Sequence, residues 1–195
     1  MMDFQYPKGA TPLDPDEAEG LLLTHITTRE ELNRWEQENI AQAVEWAYGR
    51  KHSTLLSQKF VLLLHKKMFE NVWSWAGEFR KSMKNLGIAP WLIATEVNSL
   101  CADTFAWIEY STYSVEEIAV RFHHRLVCIH PFANGNGRHA RLMTDLLLVQ
   151  KLDSEPFTWG RSDLVLPGEI REQYIAALRA ADKHDLSLLL KFVRT

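Results

Sequence analysis

The chain has 195 residues, with 22 Lys and Arg against 25 Asp and Glu, for a formal charge of −3. That balance lacks the basic surplus with which duplex-binding modules neutralise phosphates, so no direct nucleic-acid binding is expected. Apolar residues make up 46% and charged residues 24%, the composition of one ordinary globular domain rather than of a low-complexity chain.

No run of roughly 18 apolar residues occurs, so no membrane span is expected. The opening segment MMDFQYPKGATPLDPDEAEG lacks the apolar stretch of a secretory signal. Cys101 and Cys128 form no CxxC pair, which argues against a zinc knuckle or redox motif. These features together predict a reduced, cytoplasmic protein whose cysteines serve as small hydrophobes.

Residues 1–26 carry Pro7, Pro12, Pro15, Gly9 and Gly20 and read as an irregular N-terminal arm. Residues 27–195 read as a single domain. Thr28 with Glu31 forms a capping box, and Leu32, Trp35, Ile40, Ala43, Val44 and Ala47 recur at helical spacing up to Gly49. A second helix covers about 55–70. Trp73 and Trp75 then bracket a turn, and residues 78–90, with poor helical periodicity, read as an extended flap forming a short β-hairpin. Helices follow at about 92–109 and, opened by the Ser114–Glu117 capping box, to about Ile129. A break at 130–137 precedes a helix from Arg138 to about Val149. Residues 151–165 read as loop. Pro167 stands where a first-turn proline starts a helix to about Ala181, and Asp185 can cap a short last one. The class is mainly α, a helical bundle with one polar loop between two apolar helices.

That loop lies within RFHHRLVCIHPFANGNGRHAR, residues 121–141, which holds four arginines, four of the eight histidines and no carboxylate. Gly135-Asn136-Gly137 lets backbone N–H groups approach a ligand and leads into a helix N-terminus, whose unsatisfied donors and dipole favour negative charge. Arg138 and Arg141, three apart, share a helix face and could grip successive phosphates. His130 stands at the other side of this cradle with a reference pKa of about 6.5, suited to taking a proton from a hydroxyl. Phe132, apolar in a polar loop, is expected to anchor it in the core. His123 and His124 point in different directions on a helix, and a zinc site built from them needs partners that the sequence does not place. His139 is expected to be exposed. No Walker loop and no dinucleotide-binding GxGxxG is present.

Residues His130 to Arg141, HPFANGNGRHAR, resemble the Fic signature His-x-Phe-x-Asp/Glu-Gly-Asn-Gly-Arg-x-x-Arg at seven of its eight specified positions. The stretch from Trp73, Ala76 and Gly77 to about residue 150 resembles the Fic core. The opening PKGATPLDPDEAEG and the 121–141 phrase are similar to the subgroup called mobile mystery protein B. The resemblance implies a Fic fold with a hairpin flap before the active-site helix-loop-helix, and a protein adenylyltransferase that moves AMP from ATP to a Ser, Thr or Tyr hydroxyl of a target protein.

It further implies roles for individual residues: His130 as base, Gly135, Asn136 and Gly137 on phosphate oxygens, Arg138 and Arg141 on the outer phosphates, and position 134 as holder of Mg²⁺. The flap would align the target by strand addition. Two departures stand out. Asn134 replaces the acidic residue and brings no charge to a metal. The inhibitory pattern Ser/Thr-x-x-x-Glu-Gly/Asn finds its nearest match at Glu38-Asn39, but Arg34 stands where Ser or Thr belongs. The subgroup also implies a helix-turn-helix regulator as partner, in a toxin–antitoxin arrangement. Two alternatives stay open: a phosphotransferase or other nucleotidyl or phosphodiester transferase on the same fold, and a nucleotide-binding pseudoenzyme.

Overall fold

A computed structural model describes residues 14–161, 164 and 168–195. Residues 1–13 of the expected arm and the expected helix-starting Pro167 lie outside the described residues. The described part is helical: α1 (Pro15–Ala18), α2 (Arg29–Tyr48), α3 (Gln58–Phe69), α4 (Ile93–Glu109), α5 (Val115–Ile129), α6 (Asn136–Lys151), α7 (Glu169–Ala181) and α8 (Ser187–Phe192), with 3-10 turns at Pro90–Leu92 and Trp159–Arg161. No helix among them is long and apolar enough to cross a membrane.

Helix starts follow local chemistry. Thr28 Oγ1 accepts from Glu31 N, Ser57 Oγ from Phe60 N and Ser114 Oγ from Glu117 N, each answering one orphan donor. Successive helices pack as neighbours, α2 on α3, α4 on α5, α5 on α6 and α7 on α8, and α6 also meets α2 and α3. Helix α5 has two buried faces. Phe122, Leu126 and Ile129 enter the larger core with α2, α3, α4 and α6, while Ala119 and Val120 enter a second cluster with Phe157, Trp159, Tyr174 and Phe192. Helices α5 and α6 therefore form the wall between two cores, and the loop joining them is anchored in the larger one through Phe132.

Three expectations need correction. The buried stripe of α2 is Leu32, Glu36, Asn39, Ala43 and Ala47, and Trp35 is exposed; the helix is turned so that polar side chains reach the motif loop. Residues 78–90 form no β-hairpin; among the described residues the one β contact is an isolated bridge between Leu21 and Trp73. In place of a ladder, the Arg80 guanidinium organises the segment, donating to the carbonyls of Ser82 and Ile88 within it and of His130 in the motif loop. His139, expected at the surface, is fully buried, with Nε2 on the Val61 carbonyl at 3.0 Å. Residues 14–26 of the arm are also not loose. Leu22 N donates to Val72 O and Ser74 N to Gly20 O, and Glu17 accepts from Ser82 and pairs with the buried Lys84.

Candidate functional site

Helix α5 ends at His130, whose φ of 53° and ψ of 61° are left-handed. A non-glycine residue there costs on the order of 1–3 kcal/mol and persists only where neighbours enforce it. They do so here. Arg80 Nε donates to His130 O at 2.7 Å, Arg80 N to Pro131 O at 2.9 Å, and Ile88 N to Ile129 O at 3.4 Å. The 78–90 segment is thus tied to the motif loop by backbone and side-chain donors, with Arg80 also bridging its own carbonyls of Ser82 and Ile88. Gly87 lies directly on the histidine: a Cβ at that position would stand 2.5 Å from His130 Cβ.

Inside the loop, Phe132 is fully buried and stacks on His65 at a centroid distance of 3.6 Å and 12° between planes. His65 Nδ1 accepts from Gly77 N, which leaves Nε2–H to donate to Asn134 O at 3.1 Å. Both ring nitrogens are used only by the neutral tautomer, and burial holds the His65 pKa well below its ordinary value. The side chain of Asn136 closes the turn: it accepts from Phe132 N at 2.9 Å and donates to Phe132 O at 2.8 Å. That amide is spent on the loop, so any phosphate contact by Asn136 falls to its backbone N–H.

Helix α6 then starts at Gly135, with φ of 77° and no side-chain cap, and no acidic residue lies in its first turn. It differs in this from α2, α3 and α5, each capped by a hydroxyl. Gly135 is required twice, for its left-handed backbone and because a Cβ would lie 2.4 Å from Phe69 Cζ. An uncapped helix N-terminus presents free N–H donors and the positive end of the dipole, the physical requirement for an anion seat.

The two arginines diverge. Arg138 donates to Glu36 Oε2 at 2.7 Å and lies 4.9 Å from the Phe69 ring centre. Arg141 stands 5.8 Å from the ring centre of Tyr174 and forms no ion pair among the described residues. Glu36 is fully buried, and its Oε1 also accepts from Trp73 Nε1 at 2.7 Å and Asn134 Nδ2 at 3.3 Å. Glu38 is exposed on the outer face of α2. The glutamate of α2 that reaches a motif arginine is therefore Glu36. Its signal was in the sequence all the same, as an acidic residue on the same stripe as Leu32, Ala43 and Ala47.

Burial lowers the His130 pKa to about 4, with the charges of Arg80 and Lys84 acting in the same direction and the Val127 carbonyl opposing. The imidazole is neutral at pH 7 and can accept a proton. Divalent-metal ligands are scarce here. Asn134 offers one neutral oxygen, its amide N–H₂ is turned to Glu36, and the Glu36 carboxylate is held by Arg138 and Trp73. This set does not fit a Mg²⁺ ion held by the protein alone. Sequence reasoning did not find Glu36, His65, Arg80 or Gly87, which shape the loop from α2, α3 and the 78–90 segment.

Residues 55–148 match the model of the Fic/DOC family, and through this region the chain belongs to that family. The protein adenylyltransferase fic-1 of Caenorhabditis briggsae is 30% identical over 141 residues, covering 68% of this chain and 25% of the relative. The chain thus spans about a quarter of the length of that curated relative. Among solved structures, Fic-1 (aa134–508) from C. elegans superposes with a TM-score of 0.63 at 23% identity, covering 90% of this chain and 51% of that one. The Bartonella tribocorum effector BepC with bound AMPPNP superposes with a TM-score of 0.69 at 15% identity, covering 96% and 93%. At these identities the structures establish a shared fold.

Proposed function

We propose that this protein is a Fic-type adenylyltransferase that transfers AMP from Mg-ATP to a Ser, Thr or Tyr hydroxyl of a target protein. The observation that carries the reading is the uncapped N-terminus of α6, entered through Gly135 and flanked by Arg138 and Arg141. The names of the adenylyltransferase relatives and the nucleotide analogue on BepC support it.

In this reading the first-turn N–H groups of Asn136 and Gly137, with Arg138 and Arg141, hold the phosphate chain. Mg²⁺ arrives as part of the substrate and is held mainly by phosphate oxygens, with Asn134 at most a neutral ligand. His130 takes the target hydroxyl proton, the hydroxyl oxygen bonds the α-phosphorus, and the bond to the bridging oxygen breaks so that pyrophosphate leaves. Phe132 and the Asn136 side chain keep the loop in shape. The 78–90 segment, tied to His130 by Arg80, would align the target chain beside that residue. Incubation with α-³²P-ATP tests the reading: protein should be labelled by the native chain and not by His130→Ala. Label appearing only from γ-³²P-ATP would replace nucleotidyl transfer by phosphotransfer.

A second reading has its own observation. Arg138 is engaged by Glu36, and Asn134 donates to the same carboxylate. An acidic residue at 134 would face Glu36 as a like charge, whereas Asn completes the lock. We infer a state held closed in cis by Glu36, opened by a partner; in the limit where it never opens, the chain is a nucleotide-binding pseudoenzyme. The sequence likeness to the mobile mystery protein B subgroup supports a helix-turn-helix regulator as that partner and a toxin-like role in the cytoplasm. Growth arrest on expression of Glu36→Gly, relieved by His130→Ala, tests that role.

A further inference from the structure

We propose that His124, Cys128 and Asp182 form a zinc site that ties α5, the helix ending at His130, to the C-terminus of α7. His124 and Cys128 are four residues apart on α5 and lie on one face. Asp182 is the C-cap of α7, with its backbone fixed by N–H donation to Leu178 O. Among the described residues this is the one group of His, Cys, Asp or Glu side chains whose ligand atoms converge to a metal-binding spacing.

The three atoms form a triangle: His124 Nε2 to Asp182 Oδ1 is 2.9 Å, Cys128 Sγ to His124 Nε2 3.3 Å, and Cys128 Sγ to Asp182 Oδ1 3.4 Å. One face of a zinc tetrahedron built from Cys, His and carboxylate has edges of roughly 3.3–3.6 Å, from bonds of about 2.0–2.3 Å. Two edges already match. The third can widen by a rotation of the Asp182 side chain, which is 55% exposed.

Proton counting favours a cation. The triangle has three edges, but only Nε2–H and Sγ–H can supply protons to it. Both point most favourably at Asp182 Oδ1, which leaves the sulfur–nitrogen contact without a proton of its own. A cation above the face satisfies all three lone pairs at once. Charge balances as well: imidazole, thiolate and carboxylate with Zn²⁺ sum to zero; on binding, the thiol proton leaves to solvent and the imidazole carries its one proton on Nδ1 instead of Nε2. The mixed nitrogen, sulfur and oxygen set suits zinc rather than Mg²⁺ or Ca²⁺. His124, 15% exposed in its side chain, and the more open Asp182 leave an entry path and a fourth position for water. The site is independent of the nucleotide reading.

The test uses the full chain, stripped with a chelator and titrated with Zn²⁺ and Co²⁺. One metal per chain is expected, with a cobalt–thiolate charge-transfer band in the near ultraviolet. Zinc at a hundredfold excess over its Kd should raise Tm by about 5–10 °C. Cys128→Ser and His124→Ala should lose the band or weaken binding at least about 100-fold, and Asp182→Asn should weaken it about tenfold. Cys101→Ser, at a buried thiol elsewhere in the core, should change none of this. Circular dichroism and Tm of the metal-free variants check that each is folded. Failure of the native chain to bind either ion would overturn the proposal. So would a thiolate band that survives Cys128→Ser or disappears in Cys101→Ser.

Discussion

The two motif arginines sit three residues apart on one helix and meet opposite surroundings. On the α2 side, Arg138 faces a buried carboxylate that also answers Trp73 and Asn134, so every charge there is closed by a partner. On the α7 side, Arg141 has an aromatic face and no ion pair among the described residues, and its charge is felt by His123, Tyr174 and Asp145. Under the proposed function, the difference amounts to a phosphate seat that is built but half occupied: Arg141 would meet an anion directly, whereas Arg138 would first have to leave Glu36.

The predictions act on that contrast. The largest effect removes what both arginines serve: His130→Ala should lower labelling by about 10²–10⁴-fold while leaving ATP binding, measured by calorimetry, within a few-fold of native. Gly135→Ala attacks the shared seat. The left-handed backbone and the clash with Phe69 together should cost roughly 2–5 kcal/mol in denaturant unfolding, with nucleotide binding lost.

Glu36→Gln opens the closed side alone and should move two observables in opposite directions. Stability falls by about 3 kcal/mol, because a buried pair loses one charge. Nucleotide affinity rises roughly 10- to 100-fold, because Arg138 is released to make a charge-assisted bond to phosphate. Glu38→Gln, on the outer face, should leave both within about 0.5 kcal/mol, and an effect equal to that of Glu36→Gln would undo the distinction drawn here.

A separate, cumulative effect is set by pH. Burial lowers the pKa of His123 and His139 to about 3 and of His130 to about 4, and holds His65 well below its ordinary value. Each is neutral in the fold and protonates in the unfolded chain near pH 6.5. The unfolded state therefore binds more protons below that pH, and stability falls as pH falls. The slope is about 1.4 kcal/mol per pH unit per histidine until each folded pKa is reached. Denaturant midpoints between pH 7 and 4 measure it, and a flat profile would mean that these rings are solvated.

The helices were legible because their signals are local. Thr28 and Ser114 cap where hydroxyls precede apolar runs, and Leu32, Ala43 and Ala47 recur at helical spacing and are buried. The motif loop was legible for the same reason, since His130 to Arg141 is one continuous stretch. What was not legible depends on distance along the chain. Glu36 reaches Arg138 across 102 positions and Arg80 reaches His130 across 50, and no spacing rule links such pairs. The absent hairpin has the same origin, because the segment is organised by Arg80 contacts that reach as far as His130, which a local strand pattern does not show. His124 lacked partners in sequence because Asp182 lies 58 positions away.

Trp73 turns the closed side into something that can be watched. Its indole N–H ends on the same carboxylate that holds Arg138, and its ring stacks on Trp75 at 4.9 Å. Release of that carboxylate would strip the indole proton of its acceptor while the ring stays in the core. In a ¹⁵N-labelled sample a single downfield indole resonance would then shift and begin to exchange with solvent, so the chain carries its own gauge of whether the latch is shut.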